Sequence, residues 1–169
     1  VQDIPWQVHP VVKRRNRLTV KERVVAPGGD VLHPINEDEV REKVIELKKA
    51  GVESIAVCFL FSFINPAHEQ VVKKIIQEEY PEAYISLSSE VLPQFREYER
   101  FTTTALNSFI GPKVANYLNN LSGALREEGF KGDFHLMQSA GGVATVQAAA
   151  QKPVSLLMSG PAAGGLGGI

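Results

Sequence analysis

Between Asn36 and Leu87 the spacing of apolar residues changes back and forth, and this alternation constrains the fold more than any other feature. Asn36 to Ala50 reads as a helix, with Val40, Val44 and Leu47 on one stripe. Asn36 is placed to cap it, Glu39 to complete a capping box, Ile35 to staple to Val40, and Gly51 to close it. Ser54 to Phe63 is a short continuous apolar run, expected to form a strand covered on both faces. Asn65-Pro66 opens a second helix, with Ala67, Val71, Val72, Ile75 and Ile76 inward and Pro81 as its stop. Tyr84 to Leu87 reads as the next strand. Strand, helix, strand at this spacing predicts a parallel βαβ unit, hence an α/β fold with a parallel or mixed sheet and flanking helices.

Ahead of this unit, Val1 to Arg15 shows no clear periodicity, while Arg17 to Leu32 folds back at Pro27-Gly28-Gly29-Asp30 and reads as a hairpin. Lys13, Arg14, Arg15 and Arg17 are expected to form a solvated face. After it, Pro93 to Arg100 crowds charges around Phe95 and Tyr98, readable as a helix N-terminus with solvated pairs or as the polar wall of a cleft. A helix follows through Phe101, Ala105, Leu106, Phe109 and Ile110, which Gly111-Pro112 is expected to break or kink. Its continuation through Val114, Leu118, Leu121 and Leu125 ends at Gly129.

The last stretch holds two glycine turns, each behind an apolar run. Phe134 to Met137 leads into Gln138-Ser139-Ala140-Gly141-Gly142, and Val154 to Met158 leads into Ser159-Gly160-Pro161-Ala162-Ala163-Gly164-Gly165. Both are expected to be strand–glycine–helix units, with Thr145 capping a short helix between them. Such a turn lets the backbone pass without Cβ obstruction and aims helix N–H groups at an anion. Neither turn is a dinucleotide fingerprint or a P-loop, and close strand–helix packing accounts for the glycines equally well. The same two readings, helix cap or phosphate contact, stand for the Ser139 and Ser159 hydroxyls.

Other chemistry is sparse. His9, His33, His68 and His135 do not pair at metal-ligand spacing, and His68 and His135 read as packed or capping residues. The one cysteine, Cys58, sits in the apolar run and reads as a reduced core thiol in a cytoplasmic protein. A net charge of −1 favours neither nucleic acid nor anionic membrane, and no apolar run reaches spanning length.

Six segments taken in order carry a family resemblance. They are Arg23-Val24 with Gly29 and Pro34-Ile35; Asn65 to Glu69; Ser86 to Val91; Arg96 to Arg100 with Thr103 to Asn107; Met137 to Gly142; and Ser159 to Gly165. This set resembles the hydantoinase A / 5-oxoprolinase family, which includes ATP-dependent N-methylhydantoinase and related acetone carboxylase subunits. The resemblance implies part of an actin-like or sugar-kinase (ribonuclease H-like) ATPase fold, with residues 1–93 closing an N-terminal lobe and 94–169 opening the second. It implies an ATP- and Mg²⁺-dependent hydrolase that phosphorylates the carbonyl oxygen of a cyclic amide or imide, hydantoin or 5-oxoproline, before water attacks. By match, Gln138, Ser139, Gly141, Gly142, Ser159, Gly160, Pro161, Ala162, Gly164 and Gly165 are expected to line the nucleotide cleft. Arg96, Glu97, Glu99 and Arg100 are expected to face the substrate side. A hydantoinase B-type subunit is the implied partner.

Two departures qualify this. The family's Asp-x-Gly-Gly-Thr phosphate loops, whose aspartates would hold magnesium, are absent, and Ala140 stands where the family usually has asparagine. The chain is therefore expected to be an internal fragment, inactive alone. A non-catalytic α/β interaction module and a kinase of the same superfamily remain open alternatives.

Overall fold

A computed structural model describes residues 10–167; Val1 to His9 of the aperiodic start and the final Gly168-Ile169 lie outside the described residues. The hairpin forms as expected, from β1 (Arg23–Val25) and β2 (Asp30–His33), antiparallel with Val24 opposite Val31. Gly29 takes a positive φ of 78° at its turn and donates to the Val25 carbonyl at 2.9 Å.

Helix α1 (Glu37–Lys49) starts where Asn36 accepts the Glu39 N–H at 3.2 Å. Glu39 does not close the capping box: its carboxylate takes the Lys21 N–H at 3.1 Å and ties the segment before the hairpin to α1. Strand β3 (Ser54–Val57), helix α2 (Ala67–Glu79) and strand β4 (Tyr84–Leu87) build the βαβ unit, with β3 and β4 parallel and Ile55 opposite Ile85.

Side chains alternate across this two-stranded sheet. Ile55, Val57, Ile85 and Leu87 join Val40, Val44, Val72, Ile75 and Ile76 in the main core. Burial of an aliphatic side chain such as Ile75 or Ile76 contributes about 2 kcal/mol. Ala67, expected inward, is exposed at the first turn of α2. Tyr84 and Ser86 point the other way, toward α4 (Glu97–Glu127).

The strand expected through Phe63 stops at Val57. From Cys58 onward the chain turns, with Ser62 donating to Phe59 and Ile64 to Phe61. The Phe59 N–H and the Phe59 and Leu60 carbonyls bond to side chains, not to a neighbouring strand. A four-residue helix, α3 (Ser88–Val91), follows β4.

The expected break at Gly111-Pro112 does not occur; α4 runs unbroken for 31 residues with Pro112 inside. Packing outweighs the hydrogen bond that proline forfeits. A Cβ at Gly111 would overlap the Tyr84 ring, so the glycine serves the approach of α4 to β4.

The final region also differs from expectation. His135–Met137 (β5) pairs antiparallel with Val143–Thr145 (β6), so the first glycine turn joins two strands of a hairpin. Gly141 and Gly142, at φ 85° and 78°, permit the reversal. Thr145 caps α5 (Val146–Gln151) through the Ala148 N–H, as expected. The apolar run behind the second turn is a 3-10 helix, Pro153–Leu156, and not a strand, because its backbone groups bond to side chains and to the β5–β6 loop. Helix α6 (Ser159–Gly167) closes the described chain. The architecture is thus mixed α/β, with three two-stranded sheets and only β3–β4 parallel among the described residues.

Candidate functional site

The two glycine turns meet, and Ser139 is the joint. Its backbone N–H donates to the Ser155 carbonyl at 2.7 Å, and its hydroxyl donates to the same oxygen at 2.8 Å. The Met158 N–H, just before α6, donates back to the Ser139 oxygen at 3.0 Å. Gln138 reaches the Ser155 hydroxyl at 3.4 Å. Sequence alone leaves the Ser139 hydroxyl between capping and ligand contact; its bonds here are internal.

Gly141 and Gly142 complete the loop, and a Cβ at either would meet nothing within 4 Å. The same holds at Gly160, Gly164 and Gly165. Pro161 stands in the first turn of α6, and the Ser159 and Gly160 N–H groups precede any intrahelical acceptor. Ala162 already donates to the Met158 carbonyl at 3.4 Å. The junction therefore offers glycine backbone and, at Ser159 and Gly160, helix-start amides, beside the exposed Leu157 and Met158 side chains; amides of this kind suit an anion.

The broad hollows lie elsewhere. One, of about 610 Å³, runs between the C-terminal part of α4 and the β5–β6–α5 segment, lined by Asn119, Arg126, Asp133, His135 and Gln147. The other lies beside the first hairpin, against Glu22, Arg23 and His33. Neither is lined by Ser139–Gly142 or Ser159–Gly165.

The residues expected on the substrate side separate. Arg96 has a positive φ of 82°, is exposed, and pairs loosely with Glu99 at 3.6 Å. Glu97 is half-buried in the first turn of α4. Arg100 does not belong with them: it is 0% exposed. Its guanidinium donates to the carbonyls of Gln94 (2.7 Å), Phe59 (3.0 Å) and Leu60 (2.6 Å). The Phe63 and Phe101 rings also lie beside it, each about 5.1 Å from its centre. Three backbone acceptors hold this cation in the interior, which is why it faces no open cleft.

Sequence reasoning did not find the counterpart of that cation. Glu69, also fully buried, accepts from the Phe59 N–H at 3.0 Å, the Ser88 hydroxyl at 2.6 Å and the Ser89 N–H at 2.9 Å. Glu69 and Arg100 thus grip the same turn from opposite ends of its dipoles. Cys58 begins that turn; burial first, then the Glu69 charge, pushes its thiol up to about 12. The ordered motifs Asn65–Glu69 and Arg96–Arg100 were the only signal in the sequence. His68 is buried as expected, 2.8 Å from Glu22, while His135 is exposed on β5. Among the described residues, no cluster of three His, Cys, Asp or Glu side chains could hold a metal ion. No described helix is long and apolar enough to cross a membrane.

Two family models match the chain. Residues 2–80 match the family model described as the hydantoinase/oxoprolinase N-terminal region, and residues 100–168 match that described as hydantoinase/oxoprolinase. The acetophenone carboxylase gamma subunit of Aromatoleum aromaticum is 34% identical over 94% of this chain and 22% of its own length. A 5-oxoprolinase of Pestalotiopsis fici is 30% identical over 99% of this chain and 13% of its own. The crystal structure of ATP-dependent caprolactamase from Pseudomonas jessenii matches 96% of this chain and 24% of its own, with TM-score 0.81 and 26% identity. The chain spans less than a quarter of the length of each.

Proposed function

This chain belongs to the hydantoinase/oxoprolinase family, and from that premise we propose that it forms part of an ATP-dependent enzyme that opens a cyclic amide. The observation that carries the reading is the Ser139 joint, which ties the Gln138–Gly142 bend to the segment leading into the glycine-rich start of α6. The same reading takes the chain as part of an actin-like ATPase, residues 1–93 from one lobe and 94–169 from the start of the next.

Nucleotide phosphate fits this surface. Gln138, Ser139, Gly141 and Gly142 form one wall, and Ser159, Gly160, Pro161, Ala162, Gly164 and Gly165 the other. Amides at the head of α6 favour negative charge, and absent Cβ atoms let phosphate oxygens approach the backbone. ATP, when bound, would supply the phosphoryl group that, placed on the carbonyl oxygen, opens the amide carbon to water, so that the ring C–N bond breaks with nitrogen leaving as the amine. The chain's own part is to hold the phosphates in place and to neutralise charge through N–H donors. Magnesium does not find a donor set among the described residues, so this reading assigns its ligands to the rest of the polypeptide. Arg96, Glu97 and Glu99, at the head of α4, are the groups this reading places toward the substrate.

ATP titration of the whole polypeptide that carries this chain, with hydantoin or 5-oxoproline, tests the reading. Ring opening is expected to depend on both ATP and Mg²⁺, and the isolated 169-residue chain is expected to show no ATPase. Ring opening that proceeds without ATP overturns it.

A second reading is carboxylation of a ketone, favoured by the relative named as an acetophenone carboxylase subunit. Consumption of bicarbonate with a ketone, and no ring opening, would select it. That relative's description as a gamma subunit supports partner subunits, and this reading takes one of them to be of hydantoinase B type. The single free thiol accords with a cytoplasmic setting.

A further inference from the structure

Asn107 lies in the interior of α4 and is 0% exposed. Its amide spans three elements. Nδ2 donates to the Ser86 hydroxyl on β4 at 3.0 Å and to the Gln151 carbonyl at the end of α5 at 3.3 Å. Oδ1 accepts the Val154 N–H at 3.1 Å. The orientation of the amide follows from these partners, since a backbone N–H only donates and a carbonyl only accepts.

Val154 immediately precedes Ser155, whose carbonyl takes both donors of Ser139. The stretch from Gln151 to Ser155 is therefore suspended between two side chains, Asn107 on one side and Ser139 on the other. Tyr84 strengthens the first support: its hydroxyl lies 2.8 Å from the Ala150 carbonyl and 3.0 Å from that of Gln151. A residue needed only for packing would be apolar here. Leucine has similar bulk, yet it would leave the part-buried Val154 N–H without its acceptor. An aspartate in its place would keep an acceptor for Val154 and lose both donors.

We propose that Asn107 is a positioning residue, which through Val154 sets how closely the Val154–Met158 turn approaches the Gln138–Gly142 bend. In this way it aligns the amides that meet nucleotide phosphate, from a site that itself touches no ligand. This rests on the ATP reading above.

The test uses the whole polypeptide and two readouts, amide hydrogen exchange and the KM for ATP against that for the cyclic amide. In Asn107→Leu, exchange at Val154–Met158 and Gln138–Gly142 is expected to rise about tenfold or more, with the βαβ unit unchanged. KM for ATP is expected to rise about tenfold while that for the cyclic amide holds. Asn107→Asp conserves shape and the Val154 acceptor but sets an oxygen against the Gln151 carbonyl, so it too is expected to raise exchange, and it serves if the leucine variant fails to fold. Ser62→Ala, in the separate Glu69 network, is the structural control and leaves both readouts in place. Unchanged exchange in folded Asn107→Asp and Asn107→Leu overturns the positioning role. Raised exchange with an unchanged KM for ATP overturns its link to nucleotide. A wild-type polypeptide that binds no ATP defeats the underlying reading, while the exchange result still reports on Asn107.

Discussion

A half-buried turn held by two opposite buried charges sets the chemistry of individual residues in the first half. Glu69 fixes one N–H of the Cys58–Ser62 turn and Arg100 fixes two of its carbonyls, so neither charge is left without partners. Cys58 takes the consequence. Burial first, with the Glu69 charge adding to it, raises the thiol from 9.0 to about 12. The folded chain thus holds the thiol proton more tightly than the unfolded chain. Stability from the neutral thiol is complete below about pH 9 and is lost as pH rises toward 12. Denaturant unfolding at about pH 8 and about pH 10 should show wild type losing more stability than Cys58→Ala. Equal losses would contradict the shift. Cys58 was legible in the sequence as an inert core thiol, because its neighbours are apolar. Glu69 and Arg100 were not legible as a pair, because nothing in residue order shows that two charges on different helices converge on one turn.

Helices and strands were most readable where period and caps agreed. The first hairpin, α1, α2 and the parallel β3–β4 pair follow directly from alternation, Asn36, Gly51 and Pro81. The apolar run after Val57 misled, because continuity of hydrophobic residues does not reveal where backbone groups find partners. Gly111-Pro112 misled in the opposite sense. As a local signal it breaks a helix, but packing on the sheet carries α4 through it. Here glycine is a gap for the Tyr84 ring. Gly111→Ala, usually favourable in a helix, should therefore destabilise, by about 1–3 kcal/mol from overpacking. Thermal unfolding measures it; a raised Tm would show that the ring moves aside freely. The final glycine turns were legible as turns, yet the β5–β6 hairpin was not, since positive-φ glycines suit a chain reversal as well as a strand-to-helix passage.

At the scale of the molecule, the βαβ unit and the part of the chain from α4 onward are sewn together by polar groups as well as by apolar contact. Arg100 and Asn107 reach from α4 to the Phe59–Leu60 turn and β4, and Tyr84 reaches from β4 to the end of α5. A chain divided between Pro93 and Gln94 should yield two pieces that co-purify, because each leaves buried donors or acceptors that only the other satisfies. Arg100→Ala should weaken that association at least tenfold in Kd, the loss of roughly 1.4 kcal/mol; pieces that separate freely as wild type would refute the coupling. Ser139 carries a last consequence. Its hydroxyl has one proton, given to Ser155, and its oxygen is already engaged by Met158. The serine acts as a rivet between the bend and the segment that leads into α6, so its removal would slacken their spacing; if the proposed ligand sits here, the backbone and not this hydroxyl would meet it.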